Sequence, residues 1–414
     1  MQDRRYKHWP MGVPRQFPLP ETSLCYNLEV AATRYARKTA IYYYGGELAF
    51  AELKAQADAL AGYLQQDCGV RRGDRVLLYM QNSPQFVVAY YAILRADAVV
   101  VPVNPMNLTA ELTHYVSDAG AKLAICGHEL LPRIVPLLAA QGLARIIYAS
   151  YADYIDPATD LLASPNLRAD SLKSLRGIAG GGAAMPEAVA KRLYELTGLE
   201  FCEGYGLTET AAPTHSNHPS RPKRQCLGIP LCNTDSRIID ADTLKELGPG
   251  ETGEIIACGP QVFTGYWNNP DATRAVFIQH DGKRFFRTGD LGRYDEDGYF
   301  FIVDRLKRMI DASGFKVWPA EVEAMMYAHP DIQEACVIGA LDPYRGETVK
   351  AVVVLKAASR GRVQAGDIIE WCKTHMAAYK YPRIIEFVDS LPKSATGKVM
   401  WRQLQEKESA KAKA

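Results

Sequence analysis

Five short stretches of this sequence carry side chains suited to handling phosphates and carboxylates. The densest is EGYGLTET (Glu203–Thr210). Its Gly204 and Gly206 open space beside a backbone, Tyr205 can stack on a flat ring, Thr208 can bond a phosphate oxygen, and Glu209 is a hard oxygen ligand for Mg2+. A polar loop around a buried tyrosine would use the same residues. AGGGAAMP (Ala179–Pro186) follows an apolar strand and precedes a helical pattern, so its glycines let a ligand approach the carboxyl end of a strand. A plain tight turn would need them too, and the run is not a G-x-G-x-x-G fingerprint. FRTGD (Phe286–Asp290) ends a strand with a carboxylate that can accept both hydroxyls of a ribose, or that simply starts a turn. DRLKRMIDASGFKVWPAEVE (Asp304–Glu323) lies where the pattern of the chain changes, a place for a hinge or for a charged surface linker. LPKSATGKVMWRQL (Leu391–Leu404) puts Lys398 on a short glycine-containing loop. An ammonium there can reach across a cleft and neutralise a carboxylate attacking a phosphate. A lysine near a chain end is otherwise a solvated charge.

The elements that would position these residues alternate between strand and helix. RVLLYM and AVVVPVN are short apolar strands, with the helical run PQFVVAYYAILRA between them opened by Pro84. TAELTHYVSDAG reads as a helix capped by Thr109 and closed near Gly120. AKLAIC and ARIIYAS continue the series, so a parallel sheet covered on both faces is expected. The rhythm returns from Leu175. After Gly253 it gives way to short strands and turns, with DEDG as a hairpin loop. Beyond Lys307 the pattern is a helix opened by Pro319, two long apolar strands, a helix near Asp367–Met376 and the strand RIIEFV, a compact α+β domain.

Composition narrows the function. The 414 residues suffice for two or more domains. A net charge of +1 offers no field to attract nucleic acid or an anionic membrane. Nine scattered cysteines without a CxxC pair argue against zinc fingers and disulfide frameworks and for a reducing cytoplasm. MQDRRYKHWPMG lacks an apolar signal core, and no apolar run reaches the roughly 18 residues of a membrane span. Integral membrane association is therefore not expected.

Together and in this order, the five stretches resemble the adenylate-forming superfamily of acyl-CoA synthetases, peptide-synthetase adenylation domains and luciferases. GEIIACGPQVFTGYWNNPDATRAVF (Gly253–Phe277) resembles a further block of that superfamily, as do LAFAELKAQADALAGYLQQDCGVRRGDRV and AILRADAVVVPVNPMNLTAEL nearer the start. The resemblance implies an α/β fold. It has a large N-terminal AMP-binding domain (1–306) of parallel and mixed sheets with helices and a β-rich subdomain, and a small mobile α+β lid (307–414). It implies ATP, Mg2+ and coenzyme A, with a carboxylic acid, expected to be a medium- or long-chain fatty acid, as the other substrate, the alternative being an aryl or amino acid donor or a carrier-protein acceptor. A homodimer is compatible with it. By the same resemblance Gly181, Gly182 and Ala183 would line the adenine pocket beside Gly204 and Gly206, and Tyr205 would stack on the ring. Thr208 would contact the α-phosphate, Glu209 would hold Mg2+, and Asp290, helped by Arg305, would take the ribose. Lys307 would be the hinge. Ser313, Gly314 and Phe315 would enter the site for thioester formation, with Lys316 near coenzyme A. Lys398 would be the catalytic lysine of adenylation.

One part of the pattern is missing. A loop resembling T-S-G-T-T-G-x-P-K-G should precede the glycine turn, and none is present. The sequence reads as the region before that loop up to about Tyr154, and from about Asp160 as the region after it. The absent stretch, near 154–160, would be comparable with a small domain and would hold the phosphate loop and much of the carboxylate pocket. Because the remaining motifs are intact, an omitted or deleted segment explains this better than divergence. Without that loop's backbone donors, little adenylation is expected, and a nucleotide-binding remnant becomes a competing reading.

Overall fold

The computed structural model describes residues 6–138, 142–155, 175–181, 185, 187–211, 213–218, 220–312, 315–342, 344, 346–394 and 397–411. They divide into two compact units, one within Pro18–Leu167, the other within Met1–Phe17 and Arg168–Ala414. The boundary expected at 306/307 falls inside the second unit. The expected join near 154–160 lies, from residue 156 onward, outside the described residues.

The first unit runs α1 (Leu24–Arg34), β1 (Thr39–Tyr43), β2 (Gly46–Ala49), α2 (Phe50–Gln66), β3 (Arg75–Tyr79), α3 (Pro84–Arg95), β4 (Val99–Val103), α4 (Thr109–Ala119), β5 (Leu123–Gly127), the short α5 (Leu131–Ile134) and β6 (Arg145–Ala149). Strands β4, β3, β5 and β6 form the expected all-parallel sheet, in that order. Alternation along β3 divides its apolar residues between two cores. Val76 and Leu78 pack with Leu64, Ala92 and Ile93 of α2 and α3, while Leu77 and Tyr79 pack with Leu112 and Val116 of α4. A strand buried on both faces has to be apolar throughout, and each such side chain stabilises the fold by about 1.5–3 kcal/mol. Helix α3 starts as its sequence suggests, with Pro84 in the first turn and the Ser83 hydroxyl accepting from Phe86 N at 3.2 Å. Gly120 closes α4 at φ +62°. The cap of α4 differs from expectation. Leu108 is the capping residue and its N–H donates to the Glu111 carboxylate at 2.8 Å, while the Thr109 hydroxyl turns away to Arg133 O. The carboxylate satisfies the free amide of Leu108 itself, one of the unpaired donors of a helix start.

In the second unit, β7 (Ile178–Gly181), α6 (Glu187–Thr197), β8 (Phe201–Gly206), β9 (Pro213–Ser216) and β10 (Ile229–Pro230) build a sheet ordered β10-β9-β8-β7, in which β7 and β8 are parallel. An antiparallel sheet follows, made of β11 (Asp235–Ile239), β12 (Gly253–Cys258), β13 (Phe277–His280), β14 (Lys283–Tyr294) and β15 (Phe300–Arg305), with α7 (Pro270–Ala275) leading into β13. The DEDG turn joins β14 to β15, Gly298 N donating to Asp295 O at 2.9 Å. The last module holds β16 (Ile310–Ala312), β17 (Phe315–Val317), α8 (Pro319–Met326), β18 (Ile332–Asp342), β19 (Gly346–Leu355), α9 (Ala365–His375), β20 (Ile384–Phe387) and α10 (Trp401–Lys411). Its sheet is ordered β17-β16-β19-β18, with β20 parallel to β19. Alternate residues of β18 and β19 fill two cores, one against α8 and α9 and the other against Leu391, Trp401 and Leu404. Among the described residues no helix is long and apolar enough to cross a membrane.

Candidate active site

Within the second unit one cavity of about 1260 Å3 collects residues from all five stretches: Gly181, then Gly204 and Gly206 to Glu209, then Thr288, and finally Arg305, Lys307 and Lys398. Its floor is the carboxyl ends of β7 and β8. These strands pair as Gly180↔Glu203 and Gly181↔Gly204, and a Cβ on Gly181 would stand 2.5 Å from Gly204 O. Glycine is required there because the backbones approach closely. Gly182 and Ala183 lie outside the described residues.

Behind that floor stand Tyr205 and Asp290. Tyr205 is buried among Leu227, Ile255, Tyr294 and Phe300 and its ring lies 5.6 Å from that of His215. Its hydroxyl donates to Asp290 Oδ2 at 2.6 Å, and burial together with that carboxylate holds the phenol well above its usual range. Asp290 is 1% exposed. Burial pushes its carboxyl up, against the opposing influence of Arg305 and the Tyr205 hydroxyl. Arg305 Nε makes an ion contact at 2.6 Å with Oδ1, but that oxygen receives no hydrogen bond. A buried acceptor without a donor is what a ribose hydroxyl would satisfy.

The loop after β8 tightens into a single turn in which Leu207 N donates to the Thr210 hydroxyl at 2.9 Å. This leaves Thr208 exposed at the cavity wall and aims Glu209 inward. Tyr266 donates to Glu209 Oε1 at 2.9 Å, and the tyrosine is pushed up to about 12 by burial and by that carboxylate. The neighbouring acid, Glu254, is neutralised by Arg287 at 2.5 and 2.8 Å. The second oxygen of Glu209 has no partner among the described residues, and one such carboxylate fits Mg2+, which is usually held by one or two protein carboxylates, waters and substrate phosphates. The only described cluster with metal-ligand spacing, Glu246, His280 and Asp281, lies elsewhere, and Arg237 already pairs with both of its carboxylates.

Lys398 comes from a hairpin loop. Lys393 and Val399 bridge its base, Ser394 N donates to Lys398 O at 2.8 Å, and Gly397 turns it at φ +80°. The ammonium pairs with no acid among the described residues. Lys307 sits on the turn after β15 and also lines the cavity. The thioester loop is placed only in part. Ser313 and Gly314 lie outside the described residues, as does the side chain of Lys316, and Phe315 stacks on Tyr379 at 5.0 Å rather than on the cavity. Sequence reasoning passed over Tyr266, Arg287, Glu254 and Arg402. Tyr266 and Arg287 lay inside quoted blocks, in GYW and FRTGD, but only the fold shows what they face.

The AMP-binding enzyme family matches residues 28–160 and 156–267, and the AMP-binding enzyme C-terminal domain matches 321–398. The long-chain-fatty-acid–CoA ligase of Bacillus subtilis is 29% identical over 97% of this chain and 97% of its own length. A feruloyl-CoA synthase of Amycolatopsis is 29% identical over 87% of this chain and 94% of that protein. Among solved structures, ATP-bound MatB from Rhodopseudomonas palustris superposes with a TM-score of 0.79 at 25% identity, covering 92% of this chain and 97% of that one. The anthranilate CoA ligase AuaEII with anthranoyl-AMP gives 0.80 at 23% identity, over 96% and 99%, and supports the fold. The Bacillus alignment spans 551 positions, whereas 97% of this chain is about 400 residues, so about 150 positions of that ligase face no residue here. The two AMP-binding matches abut at 156–160, where the sequence shows its break. The chain belongs to the AMP-binding enzyme family, as an acyl-CoA synthetase of the adenylate-forming superfamily that has no counterpart for an internal stretch of its relatives.

Proposed function

We propose that this protein is a fatty-acid–CoA ligase of the AMP-forming type, for medium- or long-chain acids, in which thioester formation outruns adenylation. The observation that carries this reading is the cavity, where the nucleotide-facing glycines, Glu209, the Arg305 that contacts Asp290, and Lys398, which has no acidic partner among the described residues, meet. The similarity to long-chain-fatty-acid–CoA ligases supports the acid class.

In the first half-reaction a carboxylate oxygen attacks the α-phosphorus of ATP and pyrophosphate leaves. Both reactants are anions, so the Lys398 ammonium lowers the barrier by standing between them, and Thr208 orients the phosphoryl oxygen. Mg2+ at Glu209 would supply further charge neutralisation. Asp290 and Arg305 hold the ribose, and the glycine floor leaves room for the base. In the second half-reaction the coenzyme A sulfur attacks the acyl carbon, its proton passes to solvent, the bond from carbon to phosphate oxygen breaks, and AMP leaves. That half needs the AMP site but not the donors that hold the β- and γ-phosphates, which the missing segment would have supplied. All nine cysteines are free, which suits a reducing compartment, and we place the protein in the cytoplasm.

The test supplies coenzyme A with either fatty acid and ATP or chemically prepared acyl-AMP, across fatty, aryl and amino acids. Thioester from long-chain acyl-AMP should exceed that from acid and ATP by at least about 100-fold, because each lost oxyanion donor costs a factor of this order. Preference for a feruloyl or amino acyl group would move the substrate class. No thioester from any acyl-AMP, with AMP still bound, would favour the second reading, a nucleotide-binding remnant, which the internal gap supports.

A further inference from the structure

The charges around the cavity do not balance. Seven charged side chains line it: Glu209, Glu254, Arg287, Arg305, Lys307, Lys398 and Arg402. Arg287 is consumed by Glu254 and Arg305 by Asp290. Among the described residues, Lys307, Lys398 and Arg402 have no acidic partner, and Glu209 is the one carboxylate left to face them. Arg402 occupies the first turn of α10, an eleven-residue helix with no acidic residue in that turn, so the positive end of the helix adds to the same wall. Its guanidinium lies 5.6 Å from the ring centroid of Trp401, which also lines the cavity, and this contact limits the arginine's freedom before any ligand arrives.

A wall with excess cations, built on a helix start, takes a polyanion. We propose that Arg402, with Lys307, holds the β- and γ-phosphates of ATP beside Lys398 at the α-phosphate, standing in for the backbone donors of the missing loop. This rests on the nucleotide site proposed above and adds the residue that reads the phosphate tail. Arginine suits the task because its planar fork can bind two phosphate oxygens at once, whereas lysine offers a point charge.

Calorimetry on the whole chain with AMP, ATP and inorganic pyrophosphate, for the natural sequence, Arg402→Gln and Arg402→Lys, tests it. ATP should bind at least about tenfold more tightly than AMP at low salt, and Arg402→Gln should erase about tenfold of that advantage, since a charge-assisted bond is worth this much or more. Pyrophosphate binding should weaken with it, AMP affinity should hold, and Arg402→Lys should recover part of the loss. The inference is overturned if ATP binds no better than AMP, if Arg402→Gln weakens AMP and ATP equally, or if pyrophosphate does not bind. Failure of AMP to bind, with pyrophosphate still held and lost in Arg402→Gln, would instead strike at the proposed adenosine site and leave the phosphate wall standing.

Discussion

Asp290 is a charge kept where charge is costly. It is 1% exposed, and of its two oxygens one accepts from Tyr205 at 2.6 Å while the other receives no hydrogen bond. Burial raises its folded-state pKa. The folded protein therefore binds this proton more tightly than the unfolded chain does, and stability falls as pH rises from the ordinary carboxyl range through the raised value. At neutral pH the carboxylate weakens the fold and is retained for what it binds. Asp290→Asn keeps an acceptor for Tyr205 and removes the buried charge. The variant should melt higher than the natural protein at neutral pH, with the difference shrinking toward about pH 4, where the carboxyl is increasingly protonated. Its AMP affinity should fall by about tenfold or more, the worth of hydrogen bonds to a charged group. Melting curves at both pH values and AMP titration check this. A lower melting point with unchanged AMP affinity would make Asp290 a structural residue.

The turn between β15 and β16 is held at both ends and free in the middle. On one side Arg305 contacts Asp290. On the other, Arg308 pairs with the largely buried Glu323 of α8 and reaches Val337 O, while Ala320 N donates to Asp304 Oδ2 at 2.6 Å. Lys307 lies between these anchors, so a rotation of the last module would be absorbed at 306–307, as a hinge needs. Glu323→Gln would leave the Arg308 guanidinium with Asp304 at 3.7 Å as its nearest remaining acid. Breaking a buried pair from one side should cost about 3 kcal/mol in urea unfolding. A loss under about 1 kcal/mol would mean that water screens the pair. Such anchors set the limit of what the sequence tells. Pro84, Pro319 and Gly120 act locally, through a fixed φ or a tolerated left-handed one, so the helix ends they mark were legible. Thr109 was misread as a cap because the cap falls one residue earlier, on Leu108, whose own amide the Glu111 carboxylate fixes from three residues beyond. The Tyr205–Asp290 bond joins residues 85 apart, and no periodicity carries that information.

At the scale of the whole molecule, what remains and what is missing divide along the nucleotide. The proposed adenosine side, made of Gly181, Gly204, Gly206 and Asp290, lies in strands and loops that the chain retains. By the family resemblance, the donors for the phosphate tail and much of the acyl pocket would fall in the stretch of about 150 positions that faces no residue here. That gap was legible in the sequence because a motif was missing from an otherwise ordered series, whereas the charge imbalance of the cavity needed the fold. Without that stretch β7 and β8 pair in register and the cavity forms. Restoring the missing stretch should therefore complete the site rather than rebuild it. Insertion of the corresponding segment of the Bacillus subtilis ligase between residues 155 and 161 should raise acyl-AMP formation from fatty acid and ATP by at least about 1000-fold, the scale set by losing more than one preorganised donor. AMP affinity should stay within about threefold of the parent, because the adenosine contacts are untouched. Chain-length preference should follow the donor of the segment, which brings the acyl pocket with it. A chimera that binds AMP normally yet forms acyl-AMP no faster than the parent would show that the retained residues no longer support the first half-reaction, with or without the loop.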